Sequence, residues 1–214
     1  MNENSTENQF AISTNRFVKY FNENKLKIYS VVTFFIIAIA CVTFYLNSLE
    51  KNKIYLSNEY IKAKIYVEEK KNIEATNILK EIVSSNNGTY ATLSLFLIID
   101  KKLIEDKDQL LTLFDKILKN NNFEKEIINL IIFKKALFLS DYANESELLA
   151  SINPLIRGKT IWKPHALMLL GDFYANKKEY LKSKEFYTEI LNIENLNKDL
   201  YEQARSQLLL ISNK

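Results

Sequence analysis

The sequence predicts an all-α protein: a single transmembrane helix followed by an α-solenoid of about four helical hairpins plus a closing helix. Three observations predict it. Ile28 to Leu49 is an unbroken run of 22 residues with no charge, Gly or Pro, rich in Val, Ile, Phe and Ala. As a helix it reaches roughly 33 Å, against a hydrocarbon core of about 30 Å. The whole chain of 214 residues holds only 3 Gly and 2 Pro, too few for the turns of a β-sandwich or the phosphate loops of a nucleotide-binding sheet. After the apolar run, apolar residues recur at helical spacing between short polar breaks. Three segments follow: a cytoplasmic tail at 1–27, an anchor at 28–49 and a helical domain at 50–214.

The tail begins polar and Asn/Glu-rich, a composition that cannot bury enough apolar area to fold alone, so it is expected to be mobile. Phe10, Phe17, Tyr20 and Phe21 then alternate with Arg16, Lys19, Lys25 and Lys27, the mix of rings and cations found where a helix meets lipid headgroups. The anchor carries no ionisable group, which argues against an ion pathway, and no Gly-x-x-x-Gly face. Its Cys41 is the chain's one cysteine; it reads as lipid-facing bulk and excludes a disulfide framework. The apolar run is longer than the core of an ordinary signal peptide and no small-x-small site follows, so the anchor is expected to stay uncleaved. Flanking cations nearly balance, with Lys51, Lys53, Lys62 and Lys64 beyond the anchor. A long C-terminal domain translocates largely regardless of its charges, which favours the N-terminus inside and the domain outside.

No Gly or Pro intervenes from Glu50 to Asn87, so the anchor is expected to run directly into a first soluble helix ending near Asn72. Further helices are expected over Ile73–Val83, Tyr90–Leu103, Lys107–Lys119 behind a capping Asp106, Phe123–Leu139 and Glu145–Ile152. Gly88 is expected to supply a left-handed turn, Asn120–Asn122 and 141–144 to separate helices, and Asn153-Pro154 with Gly158 to make another break. Pro164 then suits the first turn of a helix running to Asn176. One more spans Tyr180–Ile193, and a last, Asp199–Ile211, opens on a capping box of Asp199 and Glu202. The Asn-x-Ser/Thr triplets at Asn4, Asn87 and Asn144 are what an Asn-rich chain generates by chance.

Within this plan Pro164 to Asn197 resembles a tetratricopeptide repeat. Leu170-Gly171 is followed by Tyr174, Tyr180, Ser183 and Tyr187 at the repeat's spacing for Leu-Gly, Tyr, Tyr, Ala and Phe. Small residues at Gly171 and Ser183 let two helices approach closely, while Tyr174 and Tyr187 fill the space between hairpins. Ala63, Tyr66, Ala75, Leu79 and Ile82 stand 108 residues before Gly171, Tyr174, Ser183, Tyr187 and Ile190, a second copy three repeats away. Such positions are core by construction. Binding in these folds falls to other positions on the first helix of each pair, here Ser57, Tyr60 and Lys64 early and His165, Met168 and Asp172 late. The segment Arg157 to Lys163, around the one tryptophan, Trp162, is the candidate recognition loop.

Chemistry is thinly represented. A single His and a membrane-buried Cys leave no His-based metal cluster and no Cys/His nucleophile. Paired carboxylates such as Glu68-Glu69 and Glu105-Asp106 flank lysines at helix ends, where solvated charge is the ordinary outcome. No glycine-rich loop could cradle phosphate, so neither cofactor, metal nor small-molecule substrate is expected, and no enzymatic activity. With 29 Lys+Arg against 26 Asp+Glu and no basic stripe interleaved with rings, nucleic acid is not expected as a partner. The layout, with the hairpin of Ala63, Tyr66 and Ala75 beside the anchor, Leu170-Gly171-Asp172-Phe173-Tyr174 through Tyr187, and a closing Glu202-Gln203-Ala204-Arg205 helix, resembles the YfgM-type ancillary subunit of the bacterial SecYEG translocon. That resemblance implies an inner-membrane protein whose periplasmic repeats link translocon subunits to periplasmic chaperones. The alternative keeps the fold and makes the chain an assembly or scaffold factor for another envelope, respiratory or cell-division complex.

Overall fold

A computed structural model describes residues 3–85, 87–119, 123–142 and 144–212, with the side chains of all of these except 3–22 and 28. The described residues form helices and no strand, as the composition requires. The chain divides into two compact units, Met1–Tyr55 and Leu56–Lys214.

The first unit is taken up by helix α1 (Glu3–Glu68), which also supplies the first helix of the second unit. The segment expected to be a mobile tail is helical in its backbone. Its helix is broken only at Asn24, whose φ of −117° and ψ of 15° leave the helical region; Asn tolerates such a departure because its amide competes for local backbone groups. The rings and cations expected at the headgroups, from Phe10 to Phe21, lie outside the described side chains. Within Glu23–Glu68 lies a stretch long and apolar enough to cross a membrane. Its side chains, Phe34, Phe35, Ile36, Ile39 and Phe44 among them, find no protein to bury against. Two of the hydroxyls within it bond to their own helix: Ser30 Oγ donates to the Lys27 carbonyl at 2.8 Å and Thr43 Oγ1 to the Ala40 carbonyl at 2.9 Å. Cys41 is free and exposed.

The second unit continues with α2 (Asn72–Val83), α3 (Gly88–Asp100), α4 (Lys107–Leu118), α5 (Lys125–Tyr142), α6 (Glu145–Arg157), α7 (Lys163–Asn176), α8 (Tyr180–Leu191) and α9 (Lys198–Ser212). Its core is serial. Ala63, Leu79, Leu95, Phe114 and Ile131 belong to one buried cluster, Ala136, Leu148, Ile152, Leu155 and Leu170 to a second, Leu167, Tyr187, Ile190 and Ala204 to a third. Each cluster joins only successive helices, so the unit is a helical repeat-like stack, with α9 closing its end.

Side-chain caps set several boundaries. Asp106 Oδ1 accepts from the Gln109 N–H at 2.9 Å at the start of α4, as expected. Asn87 and Asn144 turn out to be caps of the same kind, accepting from the Tyr90 N–H at 3.1 Å and the Glu147 N–H at 2.9 Å. Four expectations need correction. Pro154 does not break the chain: it lies inside α6, which runs on to Arg157 because Leu148, Ile152 and Leu155 bury one continuous face. The cap of α9 is Asn197, whose Oδ1 accepts from the Asp199 N–H at 2.7 Å, so Asp199 is already inside the helix. α5 begins two residues after the expected Phe123 and runs three past Leu139, taking Asp141 and Tyr142 of the expected break into the helix, and α8 ends two residues before Ile193.

The fourth correction is instructive. Gly88 does not turn left-handed; it opens α3, and a Cβ there would stand 2.8 Å from the Phe123 ring. Close approach, not backbone freedom, requires the glycine. Among the described residues the left-handed positions are Asn195 at φ 55° and three lysines: Lys70 at φ 62°, Lys102 at φ 50° and Lys178 at φ 62°. Each of the lysines follows the first helix of a hairpin and makes the same pair of bonds. The Lys178 N–H donates to the Ala175 carbonyl at 3.0 Å and the Glu179 N–H to that of Tyr174 at 2.9 Å; Lys70/Lys71 and Lys102/Leu103 repeat the pattern. The recurrence of one turn in three hairpins is repeat structure visible in the backbone. The expected turn at Asn120–Asn122 lies outside the described residues.

Candidate functional site

Three helix starts, those of α5, α7 and α9, bring residues from distant parts of the chain to one groove of about 870 Å³. Pro164 occupies the first turn of α7, where its missing N–H costs nothing. The α6–α7 connection before it is fixed by a polar knot. Thr160 Oγ1 donates to Glu126 Oε2 at 2.8 Å and accepts from Asn129 Nδ2 at 3.0 Å and from the Trp162 N–H at 3.2 Å. Asn129 Nδ2 also reaches Glu126 Oε1 at 3.3 Å. The knot holds the indole where Phe133 stacks on it, centroids 5.6 Å apart and planes at 26°. His165 completes a triad of rings, 5.6 Å from Trp162 and 6.0 Å from Phe133.

The groove's apolar lining comes from Ile161, Trp162 and Pro164 and, from the α8–α9 region, Leu196 and Leu200. Its rim is unequal in charge: Glu126, Glu194 and Asp199 stand against Lys159 alone among the lysines and arginines. Trp162 Nε1 is buried with no acceptor among the described residues, unusual for a buried indole N–H. Among the described residues no group of three or more His, Cys, Asp or Glu could hold a metal ion.

Of the residues proposed for binding, Trp162 and His165 meet here. Met168 does not: it is buried in the third core cluster. Asp172 is half-buried and engaged, its Oδ1 accepting from the Tyr187 hydroxyl at 2.6 Å. Ser57, Tyr60 and Lys64 belong to α1; Tyr60 packs on Tyr90 with centroids 6.1 Å apart, and Lys64 is exposed. Burial raises the Tyr60 pKa, and the Asp100 carboxylate adds to the shift.

The repeat-packing positions lie where hairpins touch. Ala63, Ala75, Leu79, Leu170, Gly171, Tyr174, Ser183 and Tyr187 are buried, Tyr66 and Tyr180 half-buried. A Cβ on Gly171 would stand 2.4 Å from Tyr187 Cε1, and Ser183 Oγ donates to the Gly171 carbonyl at 2.7 Å. Burial and the Asp172 carboxylate raise the Tyr187 pKa.

Beside this contact, Glu145 at the start of α6 gathers the Tyr174 hydroxyl at 2.8 Å, Lys177 Nζ at 3.0 Å and Lys182 Nζ at 3.1 Å. Those donors, Lys177 first, hold its carboxyl well below the usual range, at about 2. Burial and the bond to Glu145 push the Tyr174 hydroxyl up to about 12. Hydrogen bonds to Glu179 and then Glu145 raise Lys182. The cluster is a brace between α6, α7 and α8.

Sequence spacing missed Glu126, Glu194, Asp199 and the Thr160 knot. Glu126 and Thr160 are 34 residues apart, and nothing local marks them as a pair. The chain matches no protein-family model, no curated protein and no solved structure.

Proposed function

We propose that the chain is a membrane-anchored scaffold that uses the Trp162 groove to take up an extended segment of a partner protein. The observation that carries this reading is the groove itself: an apolar lining around a stacked tryptophan, held by a polar knot and rimmed by carboxylates. Tryptophan in a water-poor setting, ringed by polar residues, is the usual anchor of protein recognition. The excess of carboxylates favours a segment with an apolar side chain beside Lys or Arg. A main-chain carbonyl of that segment is the acceptor that Trp162 Nε1 lacks.

In this reading the tail is cytoplasmic, the helical domain lies in the periplasm of a bacterial inner membrane, and the scaffold is ancillary to the Sec translocon, linking it to periplasmic chaperones. It performs no catalysis and needs no cofactor. What supports the membrane assignment is the apolar stretch within Glu23–Glu68; what supports the partner is the resemblance of layout described above.

The test is crosslinking in cells with a photoreactive residue in place of Ile161, followed by purification in mild detergent and identification of the adduct. The expected result is an adduct with a translocon subunit or a periplasmic chaperone that disappears in Trp162→Ala. An adduct indifferent to Trp162→Ala would remove the groove from the proposal. Recovery of another envelope complex without the translocon would make the chain an assembly factor. A control with Ile28–Leu49 exchanged for an unrelated span shows whether the anchor only tethers or also recognises.

A further inference from the structure

The end of α1 has two apolar faces, and the second unit uses only one. Leu56 and Ala63 are buried, with Ala63 in the first core cluster beside Leu79 and Leu95. At about 100° per residue, Asn58, Ile61 and Ile65 lie within roughly 60° of one another on the opposite side. Ile61 and Ile65 are 52% and 47% exposed, and Asn58 is exposed between turns. Ile54 continues the sequence spacing one step earlier. The order Ile54, Asn58, Ile61, Ile65 alternates steps of four and three, the period of a coiled-coil seam, whereas a face meant for water has no reason to repeat isoleucine.

We infer that this face pairs with the same face of a second copy of the chain, as a short parallel two-stranded seam. Asn58 and Ile65 take the a positions and Ile61 the d position, with Leu56 and Ala63 at f, turned fully away from the seam. An Asn at a single a position specifies register and favours two strands over more. The flanks agree with a parallel direction. Lys64, at g, faces the partner's Glu69, which its own chain engages through Lys71 at 2.6 Å and leaves about half exposed. Lys62, at e, faces the partner's Ser57. An antiparallel seam would set Lys62 against Lys62 and Lys64 against Lys64.

A seam this short is too weak to pair chains free in solution. Its strength rests on the membrane-anchored reading above, since two anchors in one bilayer hold the faces at high local concentration and in one direction. The two ideas separate experimentally: extraction of membranes at alkaline pH reads the anchoring, and disulfide formation reads the seam.

The experiment uses the full-length chain in its native membranes, with Cys41→Ser and one added cysteine, Ile61→Cys or Ile65→Cys. Asn77→Cys, exposed on α2, is the control. Under mild oxidation the expected result is a disulfide-linked homodimer at 61 and at 65 and little at 77. No homodimer at 61 and 65, equal yields at all three positions, or a product containing a different protein would overturn the proposal; the first is what a face lying on lipid would give. Ile61→Lys and Ile65→Lys, one at a time, provide a second measure. In the same membranes Ile61→Lys should abolish the homodimer formed through Ile65→Cys, and Ile65→Lys that formed through Ile61→Cys, with helical content kept; a disulfide-linked dimer that survives would refute the seam.

Discussion

The hairpin formed by the end of α1 and α2 and the hairpin formed by α7 and α8 place the same five positions at the same spacing, yet they close differently. In the first, Ala63, Ala75 and Leu79 are all fully buried and carry no polar side-chain atom, with Ala63 and Leu79 in one apolar cluster. In the second, Gly171, Ser183 and Tyr187 meet through a ring that fills the space a Cβ would need, a hydroxyl bonded to a main-chain carbonyl, and a phenol bonded to Asp172. Tyr66 has Lys71 Nζ 5.5 Å from its ring; its counterpart Tyr174 donates to Glu145 and stacks on Phe186 at 5.5 Å. Apolar contacts tolerate exchange of similar volume. Hydrogen-bonded contacts at van der Waals limit do not, because one lost partner strands another.

The largest effect should come from Tyr187→Ala, which empties a fully buried site and orphans Asp172: about 4 kcal/mol lost on chemical denaturation, against about 3 for Leu79→Ala. Equal losses would erase the distinction between the hairpins. Gly171→Ala should cost about 2 kcal/mol through collision with the Tyr187 ring, while Ala63→Gly should cost about 1 through helix propensity alone. Ser183→Ala, which removes one bond to a carbonyl, should cost about 1 kcal/mol; a neutral result would mean the Gly171 carbonyl is content with its helical partner.

The smallest effect is one of shape. Because the Glu145 carboxyl titrates at about 2 in the folded chain rather than near its ordinary 4.5, its contribution is present above pH 4.5 and fades as pH falls toward 2. Glu145→Gln should flatten acid unfolding in that window, measured by circular dichroism. An unchanged profile would assign acid sensitivity to other carboxylates.

How much of this was legible follows from the range of each cause. The serial helices, the buried positions and the Asp106 cap depend on periodicity and near neighbours, which a sequence displays. Pro154 was misread because its local cost is outweighed by Leu148, Ile152 and Leu155 on a shared face. The αL lysines were unreadable because propensity assigns such turns to Gly, and this chain has almost none to give. Trp162 and His165 announced themselves by rarity. The groove's lining from Glu194 to Leu200 did not, since a turn of ordinary polar residues becomes a site only when folding brings it to one groove with an indole.

The left-handed turns at Lys70, Lys102 and Lys178 have a bearing on digestion. Each presents two exposed lysines in succession, at 70–71, 101–102 and 177–178, between the helices of a hairpin. Trypsin cuts after lysine in loops that can enter its cleft. Sparse nicking should therefore sever hairpins at their tips and leave each stacked helix paired with its neighbour, so the fragments stay together until denatured and then separate as a ladder that numbers the repeats.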